Sequence, residues 1–187
     1  AFPAVVSVAK MFPDARISFM TSEQYVNLVE PCPYISEIIP YKKRRNLEGL
    51  PDFLKFAMGI RARGFDMVLN LQNTKRYDII AKLSGASHTT KIVNLDRPID
   101  GVEGVFKVLA TAGIEPKRRH YEFWFTDEDR ERAGEFMVRN GLTESDKIAG
   151  VNPGAGWKSK QWPVEKYAEL SRRLIDKDGM KVVVFGS

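Results

Sequence analysis

The chain has 187 residues, of which 43% are apolar and 28% are charged. This composition excludes a disordered chain and is sufficient for a buried core in one or two domains. The single cysteine, Cys32, excludes an intrachain disulfide and a cysteine-based zinc cluster, and fits a reducing compartment. No run approaches the roughly 18 apolar residues of a membrane span, and residues 1–8 lack the basic start of a signal peptide.

The formal net charge of +5 is concentrated in one segment. Residues 42–63 contain seven basic and two acidic side chains, which together equal the whole net charge. Such a segment attracts phosphates, anionic lipid head groups or nucleic acid. A solvated helix face preceded by a basic loop explains the same pattern, so the charge alone leaves the partner open.

In the first half of the chain, helices are predicted to alternate with strands. The first predicted helix covers Pro3–Phe12, and the second runs from the capping residue Ser22 to Val29. The third has Leu50, Leu54, Ala57 and Met58 on one face and ends at Gly64. The fourth runs through Ile79, Ile80 and Leu83. The strands cover Arg16–Met20, Glu37–Pro40, the near-continuous apolar run Phe65–Leu71, and Thr89–Val93.

The alternation continues to the end of the chain. The first predicted helix here is Gly104–Ala112. The second starts at Thr126 with an acidic first turn, directs Ala133, Phe136 and Met137 inward, and ends at Asn140-Gly141. The third starts at Pro163, ends at Gly179, and has Val164, Tyr167, Leu170 and Leu174 on one face. The predicted strands are Tyr121–Phe125, Lys147–Asn152 and the buried-type run Lys181–Phe185.

Strands that alternate with helices of 10–15 residues indicate βαβ units and a mostly parallel sheet. The boundary between two domains is predicted near residues 141–146, where a helix ends and a new strand–loop–helix–strand unit begins. We therefore assign residues 1–143 to a first domain and residues 144–187 to the start of a second. The chain opens on Ala1 rather than methionine and stops at Ser187 directly after an apolar run. From this we expect both ends to be cut from a longer chain.

The stretch NPGAGWKSKQWP, residues 152–163, carries the clearest chemical signal. It follows a predicted strand and precedes a helix, where ligands of open parallel sheets bind. Gly154 and Gly156 permit an unusual backbone with open amides, and Lys158 and Lys160 add positive charge near a helix N-terminus. The stretch is neither a P-loop nor a GxGxxG fingerprint. Phosphate binding and an ordinary strand–helix turn both remain open.

Several pieces of the chain resemble glycosyltransferase family 9, which contains the lipopolysaccharide heptosyltransferases. In chain order, the pieces are Pro3-Ala4-Val5 with Phe12–Ile17, Pro33-Tyr34-Ile35 with Glu37-Ile38-Ile39, Arg63–Val68 leading into Leu71-Gln72-Asn73, Leu83–Ala86, and Gly154-Ala155-Gly156 with Lys160–Pro163 and Tyr167. No single piece is diagnostic, but their order and spacing over nearly the whole chain are similar to the family.

The resemblance implies a GT-B fold. We expect an acceptor-side Rossmann-like domain, a parallel sheet with helices on both faces that lacks its first strand, followed by the first βαβ unit of a donor-side Rossmann-like domain. The donor site that it implies consists of Asn152, Gly154, Ala155, Gly156 and Lys160, with the lysine neutralising the donor phosphates. Many heptosyltransferases have hydroxyl side chains where this chain has Ala155 and Gly156, so backbone amides would have to make that contact. Trp162 is interpreted as a packing residue.

The acceptor side is predicted in the loop after the strand Phe65–Leu71. There Gln72, Asn73, Lys75 and Arg76 lie at a strand's carboxyl end, and the resemblance directs this loop at the acceptor. Lys75 or Arg76 could pair with an acceptor phosphate or carboxylate, since the arginine fork matches such groups. A solvated loop is the alternative, and Asp66 is interpreted as structural.

The two histidines are predicted to be structural or surface residues. His88 and His120 lack metal-ligand spacing, and no serine–histidine–aspartate arrangement or carboxylate pair is apparent. The aromatic residues Tyr121, Phe123, Trp124 and Phe125 are predicted to lie in the core. In the family, the general-base aspartate follows a glycine just before the Pro-Ala-Val helix, so it is expected before Ala1, and a later donor motif is expected after Ser187. No catalytic residue is therefore named, and the chain by itself is expected to have negligible transferase activity.

The implied reaction is inverting, metal-independent transfer of a heptose or related sugar from a nucleotide-sugar, expected to be ADP-heptose, to a lipopolysaccharide core or other anionic glycolipid. It needs no cofactor beyond the co-substrate. The expected location is the cytoplasm, with peripheral contact to the inner membrane through the basic segment. The alternatives are another GT-B nucleotide-sugar transferase and a phosphate- or nucleic-acid-binding module. The second is disfavoured because residues 42–45 contain no interleaved aromatic side chains and no nucleic-acid motif.

Overall fold

The computed structural model describes residues 2–41, 50–72, 74–90, 101–115 and 122–186. Its α-helices are α1 (Phe2–Met11), α2 (Val26–Val29), α3 (Leu50–Arg61), α4 (Lys75–Leu83), α5 (Gly101–Thr111), α6 (Asp127–Arg139) and α7 (Val164–Asp178). Its strands are β1 (Ser18–Ser22), β2 (Glu37–Tyr41), β3 (Met67–Val68), β4 (His88–Thr89), β5 (Ile148–Val151) and β6 (Lys181–Val184). Two short 3-10 turns cover Glu23–Tyr25 and Lys158–Lys160.

The strands form three parallel pairs in the described part of the chain, β1 with β2, β3 with β4, and β5 with β6. Ser18 lies opposite Glu37 in the first pair and Ile148 opposite Lys181 in the third. Because parallel neighbours need a crossover connection, each pair is a βαβ unit, as the alternating pattern predicts. The α/β class and the parallel pairing are confirmed. The described strands do not join into the single extended sheet that we expected, so the Rossmann-like arrangement stays a prediction.

The chain divides into two compact units, the first up to Trp124 and the second from Phe125 onward. The division precedes α6, whereas the boundary predicted from the sequence follows it. The contacts of Lys181, the first residue of β6, explain this difference. Its ammonium donates to the Gly141 carbonyl just after α6 and, at 2.8 Å, to the Asp146 carboxylate before β5. These bonds attach the end of α6 to the β5–β6 pair.

Among the described residues, two groups of buried side chains hold the first unit together. One contains Ile39, Tyr41, Ile60 and Ile80, which belong to β2, α3 and α4. The other contains Ala4, Leu109 and Ile114, and it joins α1 to α5 and to partly buried side chains around β3. Leu109 and Ile114 have no exposed surface. Burying a side chain of this size contributes about 1.5–3 kcal/mol.

Helix α3 buries a different face from the predicted one. Ala57 is buried, but Leu54 and Met58 are 43% and 60% exposed. The core contacts come from Phe53, Phe56 and Ile60, which are spaced three and seven residues apart on one side of the helix. The two aromatic rings cover more apolar area than Leu54 and Met58, and this decides the orientation.

Three further predictions from the sequence need correction. The hydroxyl of Ser22 makes no capping hydrogen bond to the turn that follows. Of the predicted strand Phe65–Leu71, only Met67–Val68 pair, because the partner β4 is equally short. Of the predicted strand Tyr121–Phe125, residues 122–125 form no strand and Tyr121 lies outside the described residues. Residues 91–93 of the predicted strand Thr89–Val93 also lie outside them.

The aromatic residues near position 124 do not form a core. Phe123 and Phe125 are exposed, whereas Trp124 is half-buried. The rings of Phe123 and Trp124 pack edge-on against Phe2, with centroid distances of 5.7 and 5.4 Å. An edge-to-face contact of this kind needs one flank of each ring, so the other flank stays in water.

The second unit leaves more apolar surface exposed than its sequence predicts. Phe136 and Leu170 are exposed, as is Val164 at the start of α7, and Val184 in β6 is 63% exposed. A groove of about 470 Å³ runs along β6 and is lined by Phe136 of α6 and Ile175 of α7. Two strands and two helices are too few to cover both faces of the pair, which is the physical reason for the difference.

Candidate functional site

The turn of residues 152–160 starts at the carboxyl end of β5. The Asn152 side-chain oxygen accepts a hydrogen bond of 2.9 Å from the backbone N–H of Gly154, which closes a tight asparagine turn. This bond corrects one expectation. The amide of Gly154, expected to be open to an anion, is already used within the chain.

The two glycines of the turn do not adopt an unusual backbone. Neither Gly154 nor Gly156 has a φ in the left-handed region, in contrast to Gly179, which ends α7 with a φ of 62°. Gly154 instead provides space, because a Cβ atom there would lie 3.1 Å from the Asn152 side-chain oxygen. A Cβ atom on Gly186, just after β6, would lie 3.4 Å from the same oxygen. The Asn152 side chain therefore lies between the backbones that leave β5 and β6.

Lys160 ends the 3-10 turn that precedes α7. Its backbone N–H donates to the Trp157 carbonyl at 2.9 Å, and the Gln161 side-chain amide donates to the Ala155 carbonyl at 3.3 Å. These bonds hold the lysine-bearing turn against the glycine-bearing one. Lys160 is exposed, and among the described residues its ammonium forms no ion pair.

Two backbone amides of this turn are available to a ligand. Within the described part of the chain, the N–H groups of Ala155 and Gly156 donate to no protein acceptor. They lie between the asparagine turn and the 3-10 turn of Lys160. Successive free amides beside an ammonium are suited to an oxyanion such as a phosphate. Trp162 packs edge-on against Tyr167 of α7 with a centroid distance of 5.1 Å, which fits its interpretation as a packing residue.

In the first unit, Asn70 organises the loop that follows β3. Asn70 is buried, its backbone N–H donates to the Thr90 hydroxyl at 3.0 Å, and its side-chain amide donates to Asp78 of α4 at 2.7 Å. Its side-chain oxygen accepts from the N–H of Gln72 at 2.9 Å. The sequence interpretation missed Asn70. The available signal was an amide inside the apolar run FDMVLNL, where a buried polar group must find partners.

The predicted acceptor residues lie in different surroundings. Gln72 and Lys75 are exposed, Lys75 as the first residue of α4, and Asn73 lies outside the described residues. Arg76 is half-buried, and its guanidinium carbon lies 5.3 Å from the ring centroids of both Tyr41 and Phe53. The structure thus separates Arg76 from the solvated loop and directs it towards aromatic side chains.

Arg76 lines a pocket of about 280 Å³ at the carboxyl ends of the strands. Tyr41 is the last residue of β2, and Glu23 directly follows β1. The remaining wall comes from α3 and from Pro40, with Asp52, Phe53 and Phe56 as the helical residues. We call this feature the Arg76 pocket. The sequence interpretation missed its aromatic and acidic residues, although Tyr41 at a strand's carboxyl end was a usable signal.

Among the described residues, His88 and Cys32 take part in neither site. His88 is exposed in β4, with its Nδ1 atom 3.1 Å from the Ser87 hydroxyl, and His120 lies outside the described residues. Cys32 is buried, and that burial raises the pKa of its thiol. Within residues 2–41, 50–72, 74–90, 101–115 and 122–186, no group of three His, Cys, Asp or Glu residues could hold a metal ion. No helix of that part is long and apolar enough to cross a membrane.

The chain is thus an α/β protein built from short parallel βαβ units, with polar turns and a pocket at the carboxyl ends of its strands. Proteins of this class bind ligands at that edge. The chain belongs to glycosyltransferase family 9 (heptosyltransferase), whose model matches residues 53–187. This confirms the family predicted from the sequence. No curated protein matches the chain.

Solved structures with the same fold support the assignment. A glycosyl transferase family 9 protein from Veillonella parvula superposes with a TM-score of 0.82 at 24% identity, over 99% of this chain and 57% of that one. The ADP-heptose lipopolysaccharide heptosyltransferase II of E. coli gives 0.68 at 21% identity, over 99% and 59%. The E. coli heptosyltransferase WaaC with ADP gives 0.67 at 15% identity, over 99% and 63%. The chain therefore spans less than two thirds of the length of these proteins.

Proposed function

We propose that this chain is part of a GT-B glycosyltransferase that moves a heptose or related sugar from a nucleotide-sugar, most simply an ADP-sugar, to a lipopolysaccharide core or other anionic glycolipid. In this proposal the second unit binds the donor and the first unit binds the acceptor, at the cytoplasmic surface of the inner membrane. Family membership supports sugar transfer. The ADP in one of the similar structures supports the choice of nucleotide.

One observation carries the donor side of the proposal. The exposed ammonium of Lys160 and the free amides of Ala155 and Gly156 lie in one turn, at the carboxyl end of β5. When the acceptor hydroxyl attacks the anomeric carbon, the bond from that carbon to the diphosphate oxygen breaks, and the diphosphate leaves with the electron pair. A fixed positive charge and N–H donors stabilise the charge that develops on it. The proposal assigns no residue of this chain to removal of the hydroxyl proton.

Titration of the full chain with ADP, followed by calorimetry, tests this site. We expect Lys160→Ala to weaken ADP binding about tenfold, the effect of one charge-assisted hydrogen bond. Lys158→Ala, which removes an equal charge from the same 3-10 turn, is the matched control and should change the affinity less than about twofold. Adenosine, which lacks phosphates, should not distinguish the variants. Unchanged ADP affinity in Lys160→Ala, or an equal loss in the control, would contradict the donor assignment.

A further inference from the structure

The side chain of Asn152 connects the turn of residues 152–160 to the end of the neighbouring strand. Its oxygen accepts the 2.9 Å hydrogen bond from the Gly154 N–H. A Cβ atom on Gly154 would lie 3.1 Å from this oxygen, which is closer than carbon and oxygen normally approach, and one on Gly186, just after β6, would lie 3.4 Å from it. Glycine at both positions therefore leaves room for the amide between the two backbones.

The strand ends on either side of this amide are themselves fixed. Val151, directly before Asn152, is buried and pairs with Val184 at the end of the β5–β6 ladder. The Phe185 N–H donates to the Val151 carbonyl at 2.8 Å. Gly186 then turns away with a φ of 129°, a conformation that residues with a side chain rarely adopt. Asn152 therefore leaves the sheet from a firmly held position.

On its other side, Asn152 sets the path of the turn. Its oxygen replaces a backbone carbonyl as the acceptor for Gly154, which is how an asparagine turn closes. The next two amides, those of Ala155 and Gly156, donate to no acceptor in the described part of the chain. The 3-10 turn that ends at Lys160 follows. The two free amides are thus held between one turn closed by a side chain and one closed by the backbone.

Two roles are open to an asparagine at this place, because its NH2 group could bind the donor or its oxygen could hold the turn. Loss of the oxygen would leave residues 153–156 with one side-chain hydrogen bond among the described residues, the 3.3 Å bond from Gln161 to the Ala155 carbonyl. A ligand would then have to order the turn as it binds, and this entropic cost weakens affinity. The observed contacts therefore favour the role of the oxygen.

We infer that Asn152 is a positioning residue of the turn of residues 152–160. Its side-chain oxygen, held against the ends of β5 and β6, keeps the amides of Ala155 and Gly156 oriented for a diphosphate, and its NH2 group does not bind the donor. The inference rests on the proposed function for the identity of the ligand. The resemblance implies Asn152 as one of the donor-site residues, whereas here it acts on the ligand only through the turn.

Calorimetry of ADP binding to the full chain separates the two roles. Asn152→Ala removes both the oxygen and the NH2 group, and it should weaken ADP binding about fivefold, the effect of one neutral hydrogen bond. Asn152→Ser has no NH2 group but keeps an oxygen that closes the same kind of turn, so its affinity should lie within about twofold of the wild type. Asn140→Ala is the matched control, because Asn140 is exposed in the same unit and its side chain donates to the Phe136 carbonyl at 2.8 Å. It should change the affinity less than about twofold.

Gly154→Ala provides a second measurement through the partner of Asn152. Its Cβ atom would press on the Asn152 oxygen, so this variant should bind ADP about threefold more weakly than the wild type. Combined with Asn152→Ala, it should cause no further loss, because the two substitutions disturb the same contact. Hydrogen exchange of the Gly154 amide, measured without ADP, should be faster in Asn152→Ala and close to the wild-type rate in Asn152→Ser.

The inference is overturned if Asn152→Ser binds ADP as weakly as Asn152→Ala, which would place the NH2 group on the donor, or if the losses of Gly154→Ala and Asn152→Ala add. It is also overturned if Asn152→Ala binds ADP like the wild type. That result beside a weakened Lys160→Ala would leave the donor assignment intact, whereas an ADP affinity that neither substitution changes would overturn both. Where Asn152→Ala fails to fold, Asn152→Ser alone decides, because a loss of about fivefold in it would assign the contact to the NH2 group.

Discussion

Glu37 connects three parts of the first unit through one carboxylate. One of its oxygens accepts from the Ser18 hydroxyl at 2.8 Å, at the start of β1, and the other accepts from the Arg63 Nε atom at 3.1 Å, just after α3. Arg63 also donates to the Gly59 carbonyl at 3.0 Å, which ties this residue to the helix. The Ser18 hydroxyl, followed by the Arg63 guanidinium, lowers the pKa of the Glu37 carboxyl.

This carboxylate makes the stability of the first unit dependent on pH. The pKa of Glu37 is lower in the folded state than in the unfolded state. The carboxylate therefore stabilises the fold fully at pH values above the unfolded-state pKa, and this stabilisation is lost as the pH falls through the folded-state pKa. We expect Glu37→Gln to cost about 0.5–1 kcal/mol at neutral pH, a value that allows for screening of this partly exposed group. The cost should shrink as the pH falls below 4.5, the ordinary pKa of the residue. Denaturant unfolding at several pH values measures it.

Glu30→Gln is the matched control, because Glu30 is exposed in the same unit and its carboxylate makes no hydrogen bond or ion pair within the described residues. Its effect on unfolding at neutral pH should be smaller than that of Glu37→Gln. If Glu37→Gln costs as much at pH 3 as at pH 7, the carboxylate acts through packing and the electrostatic explanation is wrong.

At the scale of the element, α6 shows a helix start that local sequence determines. The Thr126 hydroxyl accepts from the N–H of Asp129 at 3.0 Å, and the Asp129 carboxylate accepts from the N–H of Thr126 at 2.9 Å. This reciprocal pair is a capping box, and its hydrogen bonds lower the pKa of Asp129. No residue of α6 is buried, so the cap matters more here than in a helix held by its core face.

Thr126→Ala should therefore destabilise α6. The expected loss is about 1 kcal/mol, the usual cost of removing a hydroxyl cap. Hydrogen exchange of the amides in the first turn measures the local effect, and denaturant unfolding measures the total. Thr126→Ser keeps the hydroxyl and should retain most of the protection. Equal exchange rates in the alanine variant and the wild type would show that α6 is held by its attachment through Lys181 instead.

At the scale of the whole molecule, the charge predicts binding to acidic surfaces. The net charge of +5 equals the charge of residues 42–63, although only residues 50–63 of this segment are among those described. Exposed charges attract an anionic membrane within about one Debye length, roughly 8 Å at physiological salt. The segment is thus suited to bind an anionic surface.

We expect the full chain to bind vesicles that contain anionic phospholipid and not vesicles of neutral phosphatidylcholine. The binding tests use salt concentrations from about 0.05 to about 0.5 M. Binding should fall steeply over this range, because the Debye length shrinks from about 14 to about 4 Å. Replacing the four basic residues 42–45 by glutamine should weaken binding about tenfold or more, given about 1 kcal/mol for each charge near the surface. Co-sedimentation measures all of these effects.

A variant with the same loss of charge separates position from net charge. It replaces four exposed cations of the second unit by glutamine, namely Arg130, Arg139, Arg172 and Arg173. This variant should bind anionic vesicles nearly as well as the wild type. Binding that is insensitive to salt, or equal losses in the two variants, would count against an attraction localised in residues 42–45.

The sequence alone determined the features that depend on neighbouring residues. The acidic start at Thr126, the left-handed Gly179 after α7 and the order of strands and helices follow from capping, backbone freedom and hydrophobic period, which act over a few residues. Order and spacing of the pieces also sufficed for the family.

Tertiary structure decided the features that require distant residues to meet. The side of α3 that is buried depended on which rings β2 and α4 could cover, and the use of the Gly154 amide depended on the rotamer of Asn152. Arg76 was a reasonable candidate from its loop, but only folding placed it on Tyr41 and Phe53, which lie far from it in the chain. The packed arrangement depends on the total apolar area that is buried and on how many hydrogen-bond donors find acceptors. Both quantities add contributions from residues far apart in the chain, so a short stretch of sequence does not determine them.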